Sequence, residues 1–542
     1  MKMQSKSLLL KNVFCRKRFA SVNLVSLVIV ISAINATAYN LLLLKFAVEN
    51  IEYGSLNGIQ TLLTVFVIVF TVTGAMLFFL SAISTKLIQV VIPLVAISNA
   101  AAIYFMWKYG VILDKSMMGN ILNTNYREAS EFLSINLIAT IILLGVLPAL
   151  FFLSLKIEVS NRIKSVSSGV VLVLLCVVFT MIFSNSWLWI DKNAKVLGGV
   201  VLPWSYIANT ARFISANNKR QLRQETLPGA SHKDNNKTLV VLVIGETARA
   251  KNFSLYGYER NTNPLLTELD IVPMDNPVSC TTYTTGSLEC LLSHKSETGP
   301  FSKSYEPLPS YLARHNVEVI WHTNNCGEPP ISVTEYQKSG DLGVSCQGDG
   351  CKYDQVLLTG LEERIRSSDS DKILVVLHQK GSHGPAYHTR YPQEFERFKP
   401  VCKSVELNNC SKEELVNAYD NTILYTDYFL SETIGILERL ADIPSVMMYL
   451  SDHGESLGEN GLYLHGTPYL VAPKVQKEIP FLVWMSDQFR KLNNTSTEAL
   501  LDRQYSSHFN VFHSVLSAFR MGSPIYDKDL DIFVRKITPE PH

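Results

Sequence analysis

The chemistry of this chain is expected to assemble at Tyr449–His465, YLSDHGESLGENGLYLH. An apolar run, Val446 to Leu450, stops at Ser451, and Asp452, His453, Glu455, Glu459 and His465 follow. A buried strand ending in a carboxylate beside an imidazole presents two metal ligands at a sheet edge. The competing account is a solvated loop after a strand. Three more apolar runs end in the same manner. Glu246 follows Leu239–Ile244; His322, Asn324 and Asn325 follow Val317–Trp321; His378 and His383 follow Ile373–Leu377. Four such ends together weaken the loop account. Asp, Glu and His donors suit a divalent ion such as Zn²⁺ in an open, catalytic site.

A nucleophile has to come from elsewhere. The segment SCTTYTTGSLECLLS, Ser279–Ser293, offers Thr281, Thr282, Thr284 and Thr285 ahead of a helix-like run. A hydroxyl at a helix N-terminus can touch a metal while exposed backbone N–H groups hold a phosphate. The same pattern also serves as an ordinary N-cap inside a disulfide clasp.

The elements that must position these residues alternate. Helix-like stretches at Tyr305–Arg314, Tyr353–Ser367 and Glu413–Ala441 separate the apolar runs. Fully apolar strands alternating with helices predict a mostly parallel α/β sheet covered on both faces, with its ligands beyond the carboxyl ends of the strands.

The amino-terminal part is built differently. Five apolar spans are expected, at about Val22–Leu44, Ile59–Leu80, Leu87–Trp107, Leu133–Leu155 and Val170–Trp187. Each is long enough to cross a bilayer as a helix, which takes about 20 residues. Lys11, Arg16, Lys17 and Arg18 precede the first span, Lys86 lies between the second and third, and Lys156, Arg162 and Lys164 lie between the fourth and fifth. The positive-inside rule then puts everything after Trp187 outside, which is the periplasm in a double-membraned bacterium. Three parts follow: a transmembrane domain over 1–189, a linker with an interfacial helix over 190–237, and a catalytic domain over 238–542. The linker helix is expected at Tyr206–Gln224, with Arg212, Lys219, Arg220 and Arg223 against anionic headgroups.

Composition agrees with this division. All 12 histidines lie at His232 or beyond, and of nine cysteines only Cys15 and Cys176 come earlier. Cys280/Cys290, Cys346/Cys351 and Cys402/Cys410 are close pairs that suit local disulfides in an oxidising compartment, and Cys326 is left over. The net charge of +1 gives no electrostatic case for nucleic acid.

Four segments together carry a specific resemblance: VVLVIGETARAKNFSLYGYERNTNP, SCTTYTTGSLEC, LHQKGSHGPAYHTRYP and YLSDHGESLGENGLYLHG. They resemble the Gram-negative lipid A phosphoethanolamine transferases, chromosomal and mobile, of the alkaline phosphatase/sulfatase superfamily. The resemblance covers nearly the whole chain. It implies Thr284 as nucleophile and Glu246, Asp452 and His453, with Thr284, as the zinc shell. It implies His383 and His465 as cleft histidines handling protons, substrate or a second zinc, and His378 as a supporting residue. Asn120, Thr124 and Glu128 match the donor-binding segment after the third span, and Asn325 matches an NN motif. The chain departs from some relatives at Cys326 and Pro329.

The implied reaction moves phosphoethanolamine from phosphatidylethanolamine to a lipid A phosphate through Thr284, at an inner membrane, in a monomer, and gives polymyxin resistance. Core sugars or glucans are alternative acceptors. A lipid phosphodiesterase and a noncatalytic metal-binding scaffold are the rival classes.

Overall fold

The structure, a computed structural model, describes residues 20–51, 55–124, 126–158, 161–221, 224–296, 304–501 and 506–534. Lys11, Cys15 and Arg16 to Arg18 lie outside the described residues, as does Arg223; the side chains of Lys219 and Arg220 are likewise not described. The chain forms two compact units, Met1–Met118 with Leu133–Arg212, and Gly119–Phe132 with Phe213–His542. The loop after the third span thus groups with the second unit.

Among the described residues of the first unit, four helices are long and apolar enough to cross a membrane: Leu56–Ile83, Thr85–Tyr109, Ile135–Ser154 and Arg162–Ile182. The first expected span is a bent pair, Leu24–Tyr39 and Leu41–Asn50, turning by 58°. The bend sits at Asn40. Its buried side-chain amide donates to the carbonyls of Asn35 and Leu202, and its Oδ1 accepts the Leu202 N–H. An interrupted helix at membrane depth needs such internal partners for its freed backbone groups. The last span starts at Arg162, earlier than the hydropathy run at Val170, because Asn161 caps it by accepting the Ile163 N–H.

The second unit is built on a sheet that has seven strands among the described residues: β1 (Thr238–Gly245), β2 (Ile271–Pro273), β3 (Glu318–Thr323), β4 (Glu335–Lys338), β5 (Lys372–His378), β6 (Ser445–Ser451) and β7 (Phe481–Met485). Their order is β2-β7-β6-β1-β5-β3-β4. The strands from β6 through β4 are parallel, and β7 runs antiparallel to both β6 and β2. The four expected strands are β1, β3, β5 and β6, each a residue or two longer than its apolar run.

Both faces of the sheet are dry. Val240, Leu242 and Ile244 join one core with Val511, Phe512 and Val515 of the helix Phe509–Ala518. Leu239, Val241 and Val243 point the other way and are just as buried. On that face Phe253 stacks on Tyr449, and the long helix Lys412–Arg439 packs on β6. That helix begins where Ser411 and Glu414 form a reciprocal capping box. The expected helix over Tyr353–Ser367 is broken in two, Asp354–Leu358 and Leu361–Arg366, by Gly360 at φ 64°. The helix Trp204–Gln221 occupies the expected linker helix, and the division between the two units falls within it. The three close cysteine pairs are disulfides.

Candidate active site

The site forms where β1 and β6 end side by side. Ser451 is paired with Gly245, so Glu246 and Asp452 are the first residues beyond one shared register point. Thr247 takes a left-handed φ of 53°, which turns its N–H back onto Asp452 Oδ1 at 3.0 Å. The same oxygen accepts the His453 N–H at 2.7 Å. Gly381 holds the other side of Glu246: at φ 52°, any Cβ there would lie 2.8 Å from the Glu246 carbonyl oxygen. Only glycine tolerates both that backbone and that approach.

Glu246, Asp452 and His453 are fully buried, with donor atoms all within 4.8 Å of one another. His453 Nε2 lies 3.1 Å from Asp452 Oδ2 and 3.6 Å from Glu246 Oε1. The Gly454 carbonyl, 3.0 Å from Nδ1, assigns the proton to Nδ1 and leaves Nε2 as a lone pair. Among the described residues Asp452 Oδ2 has no hydrogen-bond partner. Burial, then Asp452, pushes the Glu246 carboxyl well above the usual carboxylate range, and burial lifts Asp452 to about 6. Burial, then His465, depresses His453. Two carboxylates and a neutral imidazole buried together are costly without a cation. The hard oxygens and one nitrogen fit Zn²⁺, with Thr284 at the open position.

Thr284 is the first residue of the helix Thr284–Leu291, which starts inside the loop closed by the Cys280–Cys290 disulfide and ends just past Cys290. Its Oγ1 is 3.3 Å from Glu246 Oε2 and 3.4 Å from His453 Nε2. The neighbouring hydroxyls turn elsewhere. Thr281 bonds Ser287 and Thr282 bonds the Thr467 carbonyl. Asn325 donates to Glu246 Oε2 at 2.7 Å, fixing that carboxylate from the β3 side.

A cleft of about 640 Å³ opens on Thr284. Asn120, Thr124, Glu128, Asn325, His383 and His465 line it, so those expected residues come together. His383 Nε2 is 3.2 Å from Glu128, and its buried Nδ1 has no hydrogen-bond partner among the described residues. Burial lowers His383 to about 4, so it is neutral at pH 7 and donates to Glu128. Burial raises Glu128, but the hydrogen bond from His383 and the nearby positive charges, Lys380 and His465 among them, together outweigh it and hold the carboxyl at about 2. His465 goes the opposite way. Burial lowers it, but Glu455, 3.4 Å from its Nδ1, together with Asp452 and Glu128 outweighs that and raises it. The two rings are 5.8 Å apart.

Two of the strand-end histidines stay outside this group. His378 is buried beside Trp321, with Nδ1 3.3 Å from the Thr323 hydroxyl. His322 bonds the Leu357 carbonyl at 2.8 Å.

Other residues matter that the spacing left unassigned. Glu455 sets His465. Glu459 pairs with the buried Arg249 at 2.7 Å. Arg390 donates to the His383 carbonyl at 2.7 Å and grips both oxygens of Glu131, which fastens the segment Gly119–Phe132 beside the cleft. Glu131 gave no local signal, since one carboxylate in a short helix reads as a solvated face.

The family model described as Phosphoethanolamine transferase EptA/EptB matches residues 59–218, and that described as Sulfatase matches residues 238–521. Phosphoethanolamine transferase EptA of Helicobacter pylori is 39% identical over 497 residues, which cover 89% of this chain and 92% of that one. The chain belongs to the lipid A phosphoethanolamine transferase family. It is an enzyme of the alkaline phosphatase superfamily. The integral membrane lipooligosaccharide phosphoethanolamine transferase A of Neisseria meningitidis superposes with a TM-score of 0.86 at 30% identity, covering 94% of this chain and 98% of that one. The C-terminal periplasmic domain of phosphoethanolamine transferase EptC of Campylobacter jejuni has a TM-score of 0.51 at 38% identity, covering 59% of this chain and 100% of that one.

Proposed function

We propose that this enzyme moves phosphoethanolamine from phosphatidylethanolamine to a phosphate of lipid A by way of a phosphothreonine at Thr284. The observation that carries this reading is a single hydroxyl, at a helix N-terminus, within 3.4 Å of two buried donors and facing an open cleft. Zn²⁺ held by Glu246, Asp452, His453 and Thr284 would supply charge stabilisation and lower the pKa of the Thr284 hydroxyl.

In the first half-reaction Thr284 Oγ1, its proton released to solvent beforehand, forms a bond to the donor phosphorus, and the bond from phosphorus to the glycerol oxygen breaks. His465, kept protonated by Glu455, delivers a proton to that oxygen as diacylglycerol leaves. The uncovered N–H groups at the start of the helix Thr284–Leu291 hold the phosphoryl oxygens. In the second half-reaction a lipid A phosphate oxygen attacks the phosphothreonine, Thr284 leaves, and any proton on the incoming phosphate passes to Nδ1 of neutral His383. An acid and a base whose environments push their pKa values apart suit this division of labour.

The cleft favours the donor's ammonium. Glu128, Glu289 and Glu328 line it, and no Lys or Arg does so among the described residues. Both lipids reach the site from the membrane that holds the spans, with the catalytic unit in the periplasm. Capping a lipid A phosphate with a cationic headgroup lowers its negative charge and weakens polymyxin binding.

The test is mass spectrometry of lipid A from a host expressing the wild type or Thr284→Ala. The wild type adds the phosphoethanolamine mass and the variant does not; persistence of that mass in the variant removes Thr284 as nucleophile. Acid-stable phosphoethanolamine on Thr284 after incubation with donor alone separates a covalent route from direct transfer.

A further inference from the structure

A second cavity, of about 370 Å³, adjoins the cleft across the turn after β3. Asn325, Cys326 and Glu328 line both. The two differ in charge. Into the second cavity come Lys338, Lys352, Lys380 and Arg390, against the carboxylates of Asp354 and Glu328. Both carboxylates already have partners within the protein. Asp354 is fully buried, with Oδ1 accepting from Asn324 and the Lys380 N–H and Oδ2 from the Gly381 N–H. Glu328 is hydrogen-bonded by the Tyr336 hydroxyl. Arg390 is taken by Glu131. The three lysine ammoniums, in contrast, form no ion pair among the described residues. They come from separate elements: Lys338 from the end of β4, Lys352 from the turn beside the Cys346–Cys351 disulfide, and Lys380 from the loop after β5. The Tyr336 and Tyr353 rings complete the wall.

We infer that this cavity binds an anionic sugar of the acceptor, a phosphorylated glucosamine unit, while the acidic cleft holds the donor headgroup. The inference rests on the transfer reaction proposed above and adds where the acceptor is recognised. Converging unpaired ammoniums disfavour the ethanolamine group and favour a phosphate or carboxylate. Tyrosine rings suit the apolar face of a sugar, since each offers a broad amphipathic surface at small entropic cost. The shared wall matters most. Asn325, which borders both cavities, also donates to Glu246, so a sugar seated in the second cavity lies one residue from the group that orders the metal ligands. Lys338 and Lys352 are exposed at the rim, where a large lipid-linked acceptor can meet them, and Lys380 is half-buried deeper in.

The experiment uses the full-length enzyme in detergent with a fluorescent phosphatidylethanolamine donor. Two rates are measured: diacylglycerol release with no acceptor present, and transfer to lipid A over a range of concentrations. In the double variant Lys338→Gln, Lys352→Gln the KM for lipid A rises about tenfold relative to donor cleavage, the loss expected from two charge-assisted contacts in a partly exposed site. Glucosamine 6-phosphate inhibits transfer by the wild type competitively and has a weaker effect on the variant. The double arginine variant, which keeps the charge, restores the wild-type KM. An unchanged KM for lipid A in the glutamine variant overturns the inference, as does a parallel fall in donor cleavage. Donor cleavage by the wild type without any labelling of lipid A would instead overturn the proposed reaction itself.

Discussion

The carboxyl ends of β1 and β6 can be compared with those of β3 and β5. In sequence all four look alike, an apolar run closing on carboxylate, imidazole or amide. In the structure the first pair turns Glu246, Asp452 and His453 onto one point, whereas the second pair buries its nearest histidines, His322 and His378, in side-chain and backbone contacts of their own. What β3 and β5 give the site arrives later, through Asn325 and His383. A residue type at a strand end therefore says little until its register and the turn that follows are known.

The largest test of this contrast lies in the first pair. Glu246→Gln or Asp452→Asn is expected to lose nearly all bound zinc, read by metal analysis, and transfer falls at least about 10³-fold because nucleophile activation goes with the metal. Metal-free protein should also report the pair through pH. Both carboxyls titrate above their unfolded values, Asp452 at about 6. The folded state thus keeps protons that the unfolded chain has lost. The stability from these groups is complete below about pH 4 and is lost as pH rises through about 6. Chelated enzyme should melt at a lower temperature at pH 7.5 than at pH 5, and added zinc should reverse the difference. Equal melting at both values would separate the cluster from metal binding.

Next come the cleft histidines. His465→Gln is expected to slow transfer by about 10²–10⁴, the usual contribution of a positioned acid or base. The wild-type rate should rise with pH as His383 deprotonates above about 4 and fall once His465 loses its raised-pKa proton, above 6.5. The falling limb should vanish in His465→Gln; its survival would assign the acid elsewhere. Asn325→Ala should cost roughly tenfold in rate, since a charge-assisted hydrogen bond to Glu246 is worth about 1.5–3 kcal/mol and the metal partly replaces it.

The smallest effect on activity belongs to the second pair's own histidines. His378→Asn should leave transfer within about twofold while lowering stability by about 1–3 kcal/mol, the cost of disturbing a buried polar group. A large loss of zinc or of turnover in that variant would break the contrast between the strand ends.

Much of this arrangement is legible without coordinates. Fully apolar runs in alternation with helices mean strands covered on both faces, and β1, β3, β5 and β6 follow from that pattern. β2 and β4 do not, because three or four residues of mixed character at a sheet edge carry no such signal. Between β6 and β7 the described elements are short strands and 3-10 turns with no α-helix, so β7 and its antiparallel direction break the alternation that revealed the others. The clustering of the threonines before Cys290 is visible in the sequence, but spacing leaves the four hydroxyls open and only the family resemblance points to Thr284; in the structure Thr284 starts the helix and lies beside Glu246 and His453.

The sequence by itself determined the membrane-spanning part, the α/β part, the disulfide pairs and the pool of candidate ligands, since length, periodicity and residue type act locally along the chain. Only the tertiary structure decided which histidines meet, which carboxylate steers each of them, and that, far away in sequence, Glu128 lines the cleft while Glu131 pairs with Arg390. Those choices rest on strand register, on two left-handed backbone turns at Thr247 and Gly381, and on burial, and none of these is a property of any single stretch of chain.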